Sequence, residues 1–292
     1  MARTPSRPGA RMAVLRIGSD EHKALFCREF EATHDAYDPR GIRWPDLDDA
    51  SCERLRALPF WQEAVSSERT AAARVRAMAD VEPDRALRDA IALQAYEEER
   101  HARLLEGLLA RYGITIPGDG PQVPRDAEWG FLRMGYGELF DSFFAFGLFR
   151  LASETGVFPQ PLVQIFDGVM QEEARHILFF TNWAAYRQVR LPLPQRPWFR
   201  LRRAMGLAVQ ALGRVRTALQ LRGADAGDDF TMQVPDQLTE EEVTLRRLAE
   251  TCLAENERRL AGYDPRLLRP QTVPRLVRGA LRLLPRKPAA DP

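Results

Sequence analysis

Glu97-Glu98-Glu99-Arg100-His101 and Glu172-Glu173-Ala174-Arg175-His176 are two near-copies of one string, and the fold follows from what they demand. Each contains a Glu-x-x-His pair, Glu98/His101 and Glu173/His176, with a further Glu before it and Arg directly before the His. On an α-helix, positions i and i+3 share a face about 5–6 Å apart, so each pair can aim a carboxylate and an imidazole at one point. The chain has four histidines, His22, His34, His101 and His176, and half of them sit in this motif. One copy, in a chain with 28% charged residues, would read as a solvated ion pair. Two copies among apolar neighbours read differently. Ile91, Leu93, Leu104, Leu105 and Leu108 surround the first, and Val169, Met170, Ile177, Leu178 and Phe179 the second. Burying carboxylates and imidazoles in such company is costly unless they are paired or coordinate a metal. Two such helices, with one extra Glu from each of two more, supply the ligands of a two-metal carboxylate site in a four-helix bundle.

The surrounding punctuation predicts those four helices. One runs from about Phe60 to Ala79 and turns at Val81-Glu82-Pro83. Asp84 is a fair N-cap for the second, which stops at Tyr112-Gly113. Ile114–Asp126, rich in Pro and Gly, is long enough to cross the bundle. The third spans about Trp129 to Thr155, and after a break at Gly156–Pro161 the fourth continues to about Val189. The expectation is all-α: two helical hairpins joined by one long crossover, with extra N- and C-terminal helices. By segment, 1–18 reads as a disordered N-terminus, 19–59 as a helical and loop extension, 60–190 as the bundle, and 191–292 as a basic amphipathic helical region.

Hairpin geometry locates the two remaining carboxylates, because ligands on antiparallel neighbours sit equally far from the turn. Glu68 lies as far before Pro83 as Glu98 lies beyond it, whereas Glu63 is one to two turns too deep. Mirroring Glu173 through Phe158 points near position 143, where the closest acids are Asp141 and Glu138. Glu is the usual bundle ligand, which favours Glu138 and leaves Asp141 as a neighbour or substitute. The predicted metal set is Glu68, Glu98, His101, Glu138, Glu173 and His176, with no catalytic residue separate from it.

Mid-helix tandem Glu-Glu-x-Arg-His strings in two hairpins resemble the ferritin-like di-iron carboxylate superfamily, over roughly residues 60–190. That group includes rubrerythrins, bacterial ferritins, acyl-carrier-protein desaturases and other di-iron oxygenases. Its arylamine-oxygenase branch carries an additional His one turn before the second Glu-x-x-His; here that position is Val169, against that branch. The resemblance implies two iron ions, with Mn/Fe left open, that reduce O2 and oxidise an apolar small molecule or acyl chain, free or carrier-bound. It leaves the electron donor unknown and homodimerisation open. The same resemblance admits ferroxidase, iron-handling or peroxide-scavenging activity. The helix-three aromatics read either as core packing or as an apolar substrate pocket walled by Phe140, Phe144 and Phe179. Arg100 and Arg175 are expected to face away from the metals and pair with neighbouring acids.

The remaining composition bounds the setting. A net charge of +1 gives no global case for nucleic-acid binding. Cys27, Cys52 and Cys252 are widely spaced and read as free thiols, no secretory signal is visible, and a cytoplasmic location is the default. Gln195–Arg222 has seven arginines and no acid, interleaved with apolar residues. It and Pro274–Lys287 read as basic amphipathic helices, either covering the bundle or touching a membrane surface peripherally. Thr239-x-x-Glu242 reads as a capping box for a helix ending near Gly262. A non-catalytic helical protein of the membrane surface is the reading in which the Glu-x-x-His pairs do nothing.

Overall fold

The helix carrying the first Glu-x-x-His is bounded by its own sequence. The Asp84 carboxylate accepts a hydrogen bond from Leu87 N at 3.2 Å, satisfying a first-turn donor. At the other end Gly113 turns left-handed at φ +67°, a conformation glycine takes without a Cβ clash. In the computed structural model, which describes residues 15–118, 120–156, 158–221 and 244–282, similar signals set the other helices. α1 (Asp20–Ala32) is capped by Ser19 and α2 (Asp49–Ala57) by Asp48. α3 (Trp61–Val81) and α4 (Arg85–Tyr112) form the first hairpin. α5 (Ala127–Glu154), capped by Asp126, and α6 (Gln160–Arg190), with Pro161 in its first turn, form the second. α7 (Arg196–Leu221), α8 (Leu245–Leu260) and α9 (Thr272–Leu281) complete the described residues, which contain no strand.

α3 packs along α4, α5 along α6, α3 also meets α5, and α4 meets α6, so the four enclose a common interior. The segments flanking them belong to the same core. α1 lies on α6 and α4, placing Phe26 and Phe30 beside Phe179. α8 runs against α5, and Leu248, Cys252 and Leu260 join the cluster built from α4, α5 and α6. Asn182 ties three segments together: its side chain meets His22 Nε2 at 3.0 Å, accepts from Leu268 N at 2.9 Å and donates to Leu268 O at 3.0 Å. The fold begins earlier than residue 19. Leu15 packs on the core, and Gly18, at φ +83°, sits so close to Val189 that a Cβ there would fall 2.4 Å from it. Residues 1–14 of the predicted disordered terminus lie outside the described residues, as do Thr239 and Glu242; the cap of α8 is Thr244, whose hydroxyl accepts from Arg247 N at 3.1 Å.

α5 buries residues on every side because α3, α6, α7, α8 and α9 all touch it. Its glycines serve close helix approach. A Cβ on Gly147 would lie 2.3 Å from Cys252 Sγ and 2.9 Å from the α8 backbone, and neither can yield cheaply. Gly147→Ala is therefore expected to cost about 1–3 kcal/mol of stability or more, measured by urea unfolding. A loss near zero would mean α8 is not held against α5 as described.

α7 spends part of its basic character on α5. Arg202 binds Glu128 and Asp126 at 3.0 and 2.8 Å, Arg203 donates to the Tyr136 hydroxyl at 2.9 Å, and Arg214 pairs with Asp141. Its opposite face exposes Trp198, Leu201, Met205, Val209 and Leu212. Among the described residues, no helix is long and apolar enough to cross a membrane. Cys27, Cys52 and Cys252 are free.

Candidate metal centre

Six side chains from four helices converge in the interior. Glu68 (α3), Glu98 and His101 (α4) and Glu173 (α6) present ligand atoms within 4.8 Å of one another, and Glu98, Glu138 (α5) and His176 (α6) form a second such group. Glu98 belongs to both. These are the six residues predicted as ligands, now side by side. His101 Nδ1 lies 3.1 Å from Glu173, 3.5 Å from Glu68 and 4.0 Å from Glu98. His176 Nδ1 lies 3.0 Å from Glu98 and 3.7 Å from Glu173, and the two imidazole rings are 5.7 Å apart.

The inward-facing atoms suit a cation better than each other. His101 Nδ1, His176 Nδ1, both Glu138 oxygens and Glu173 Oε1 are buried without a hydrogen-bond partner. The carboxylate oxygens near each Nδ1 are close but not aligned for hydrogen bonds. Orphaned buried polar atoms of this kind are expensive unless something outside the hydrogen-bond network satisfies them. The donor chemistry, imidazole nitrogen and carboxylate oxygen, suits a divalent metal ion.

Outside this cluster a crossed network fixes each ring. His101 Nε2 bonds Glu172 of the other Glu-x-x-His helix at 2.7 Å, and His176 Nε2 bonds Glu97 at 2.8 Å. Arg100 pairs with Glu172 and Arg175 with Glu97, all four buried. A carboxylate on the far ring nitrogen sets the tautomer and leaves Nδ1 as the donor to a metal. The arginines thus pair with acids as predicted, but they point into the protein. Arg100 also donates to Asp35 O at 2.6 Å and covers the Tyr37 ring at 3.9 Å; Arg175 lies 4.9 Å over Phe30. His34 bonds Glu97, so α1 and the loop after it close the outer side of the site.

Charge follows the same division. In the outer network two arginines offset Glu97 and Glu172, whereas the four inward glutamates have no fixed cation among them. Burial pushes Glu68 up to about 8 and Glu138 well above the ordinary carboxylate range, reinforced by neighbouring carboxylates. Burial alone would lower both histidines, yet the surrounding carboxylates outweigh it and raise them well above the usual value. For Glu97 the burial penalty is overcome by His176, Arg175 and His34, which hold it below the carboxylate range. Without a metal the cluster keeps protons to limit its negative charge; two dications would balance four carboxylates in their place.

The cluster opens onto a cavity of about 690 Å³. Its walls differ from the pocket predicted from sequence. Phe140, Phe144 and Phe179 do not line it: Phe140 lies under Arg214, Phe144 packs with Phe143 near α8, and Phe179 stacks against α1. Phe60, Trp61, Phe149, Phe158 and Phe166 line it instead. Asp141 borders the cavity but is engaged by Arg214 and is absent from both ligand groups, so Glu138 takes the α5 position. Glu97, Glu172, His34 and Tyr37 were not assigned from sequence; the signal available was the second Glu repeated in both strings.

No family model, curated protein or solved structure matches this chain. Fold and site together define an all-α protein with a buried carboxylate–histidine cluster able to hold metal.

Proposed function

We propose that the chain is a ferritin-like di-iron carboxylate protein acting as an O2-dependent oxidase or oxygenase on an apolar small molecule or acyl chain. The observation that carries this reading is the pair of ligand groups sharing Glu98, with orphaned inward atoms, set in the wall of a large cavity. Iron held there supplies the redox chemistry that reduces O2 and oxidises a bound molecule. The chain's own residues do the rest. Glu68, Glu98, Glu138 and Glu173 supply charge, Glu172 and Glu97 orient His101 and His176, and the aromatic walls exclude water from a bound apolar group. The cavity favours an organic substrate over the iron-handling alternative, which needs no space beyond the metals. The test is ferrous reconstitution followed by O2 exposure. About two irons per chain and an O2-induced absorption band are expected, both lost in a His101→Ala/His176→Ala double variant. Protein that ignores added iron overturns the proposal.

A peripheral membrane role for α7 is supported by its exposed stripe of Trp198, Leu201, Met205, Val209 and Leu212, with Arg200 and Arg216 also exposed on the same helix. Co-sedimentation with vesicles containing anionic lipid is expected, at least about tenfold weaker for Trp198→Asp/Leu201→Asp. Equal sedimentation of both proteins would leave the stripe without this role.

A further inference from the structure

The two ends of the cavity are chemically opposite. At one end Phe60, Trp61, Leu105, Phe149, Phe158 and Phe166 form a continuous apolar cluster from the N-terminal end of α3, the C-terminal halves of α4 and α5 and the start of α6. At the other, Arg74 of α3 and Arg133 of α5 line the wall with Gln210 and Gln122. Neither arginine has an acidic partner among the described residues, and Arg133 Nε is buried without a hydrogen bond. The third arginine there, Arg214, is already engaged by Asp141 and by Gln210 Oε1, the latter at 2.5 Å. Gln210 in turn donates to Arg133 O at 2.8 Å, which fixes α7 against this end of α5. Two like charges side by side in a half-buried wall repel. Burial and the proximity of Arg133 both lower the Arg74 pKa. An anion between the two guanidiniums would relieve burial and repulsion together.

We infer that Arg74 and Arg133 recognise the carboxylate of an amphiphilic substrate whose chain passes the Glu68/Glu98/Glu138 cluster and points toward Trp61, Phe149 and Phe166. This inference deepens the proposed function by naming its substrate class. The spacing fits a chain of moderate length. Glu68 lies roughly 9 Å along α3 from Arg74, and Trp61 roughly 10 Å further, from the helical rise per residue. The carboxylate is held away from the ligand cluster, so the carbon nearest the cluster is an interior one.

Calorimetric titration of the full-length protein with decanoate and with decanol, in metal-free and iron-loaded forms, tests this. Decanoate is expected to bind about tenfold tighter than decanol or better, in both forms. Arg74→Gln/Arg133→Gln is expected to erase that preference while keeping decanol affinity, which also shows that the variant is folded. Arg69→Gln, a charge loss on the same helix at a residue paired with Glu106, is expected to keep it. Equal binding of the two ligands by the wild type overturns the inference, as does a preference that survives in the double variant. A preference seen only after iron loading also overturns it, because the carboxylate would then sit on the metal. Failure of the protein to take up iron would count against the di-iron reading alone, since the metal-free titration stands without it.

Discussion

Glu98→Gln is expected to remove more metal than any other single carboxamide substitution in the site. Glu98 is the one residue shared by both ligand groups, and Gln94 Nε2 holds its Oε1 at 3.2 Å. Glu68→Gln leaves Glu98, Glu138 and His176 intact, and Glu138→Gln leaves the four-residue group intact. Iron content after reconstitution should therefore fall from about two per chain to about one in either of those variants, and well below one in Glu98→Gln. Stability should follow occupancy. Metal at a hundred times its dissociation constant stabilises the folded state by about 2.7 kcal/mol per site, roughly 5–10 °C in melting temperature for a chain of this size. Chelation should lower the wild-type melting temperature by at least that much and leave Glu98→Gln almost unmoved. Equal metal content in all three variants would mean that Glu98 is not shared.

The difference between Glu98 and its neighbour Glu97 marks where the sequence stops being informative. Glu98, His101, Glu173 and His176 are legible because the helical i,i+3 spacing is a local constraint, and Glu68 because a short hairpin fixes depth from the turn. Helix ends at Asp84, Gly113 and Asp126 are equally local. Glu97 is four residues before His101, so its spacing points to a partner on its own helix, yet its carboxylate binds His176 across the interior. That choice depends on how α4 and α6 are rotated about their axes, which no local pattern records. The cavity walls escaped for a related reason. An amphipathic helix declares its inner face, but α5 carries large apolar residues on all sides, so hydrophobicity alone does not separate Phe149, which lines the cavity, from Phe144, which packs near α8. The covering of α5 by α8 rests on Gly147 meeting Cys252 more than a hundred residues away, a complementarity visible only in three dimensions.

The crossed outer network yields the second large effect, and two readouts should separate within it. In Arg100→Met, Glu172 loses its guanidinium while remaining buried against His101, and Asp35 O and the Tyr37 ring lose their partner as well. Removing one member of a buried ion pair costs about 3–5 kcal/mol, because the charge left behind is uncompensated. Urea unfolding of the metal-free protein should show a loss of that size. Adding Glu172→Gln removes the stranded charge, so the double variant should regain most of the stability lost by Arg100→Met, a coupling that a double-mutant cycle reads directly. Metal affinity should not recover with it. Glu172 is the acceptor that orients His101 through Nε2, and loss of such a partner typically weakens metal binding about 10–100-fold. If the double variant regained affinity along with stability, Arg100 and Glu172 would form only a structural pair. Stability without affinity would show that the pair carries two separable roles, the arginine keeping a buried carboxylate charged and the carboxylate aiming the imidazole.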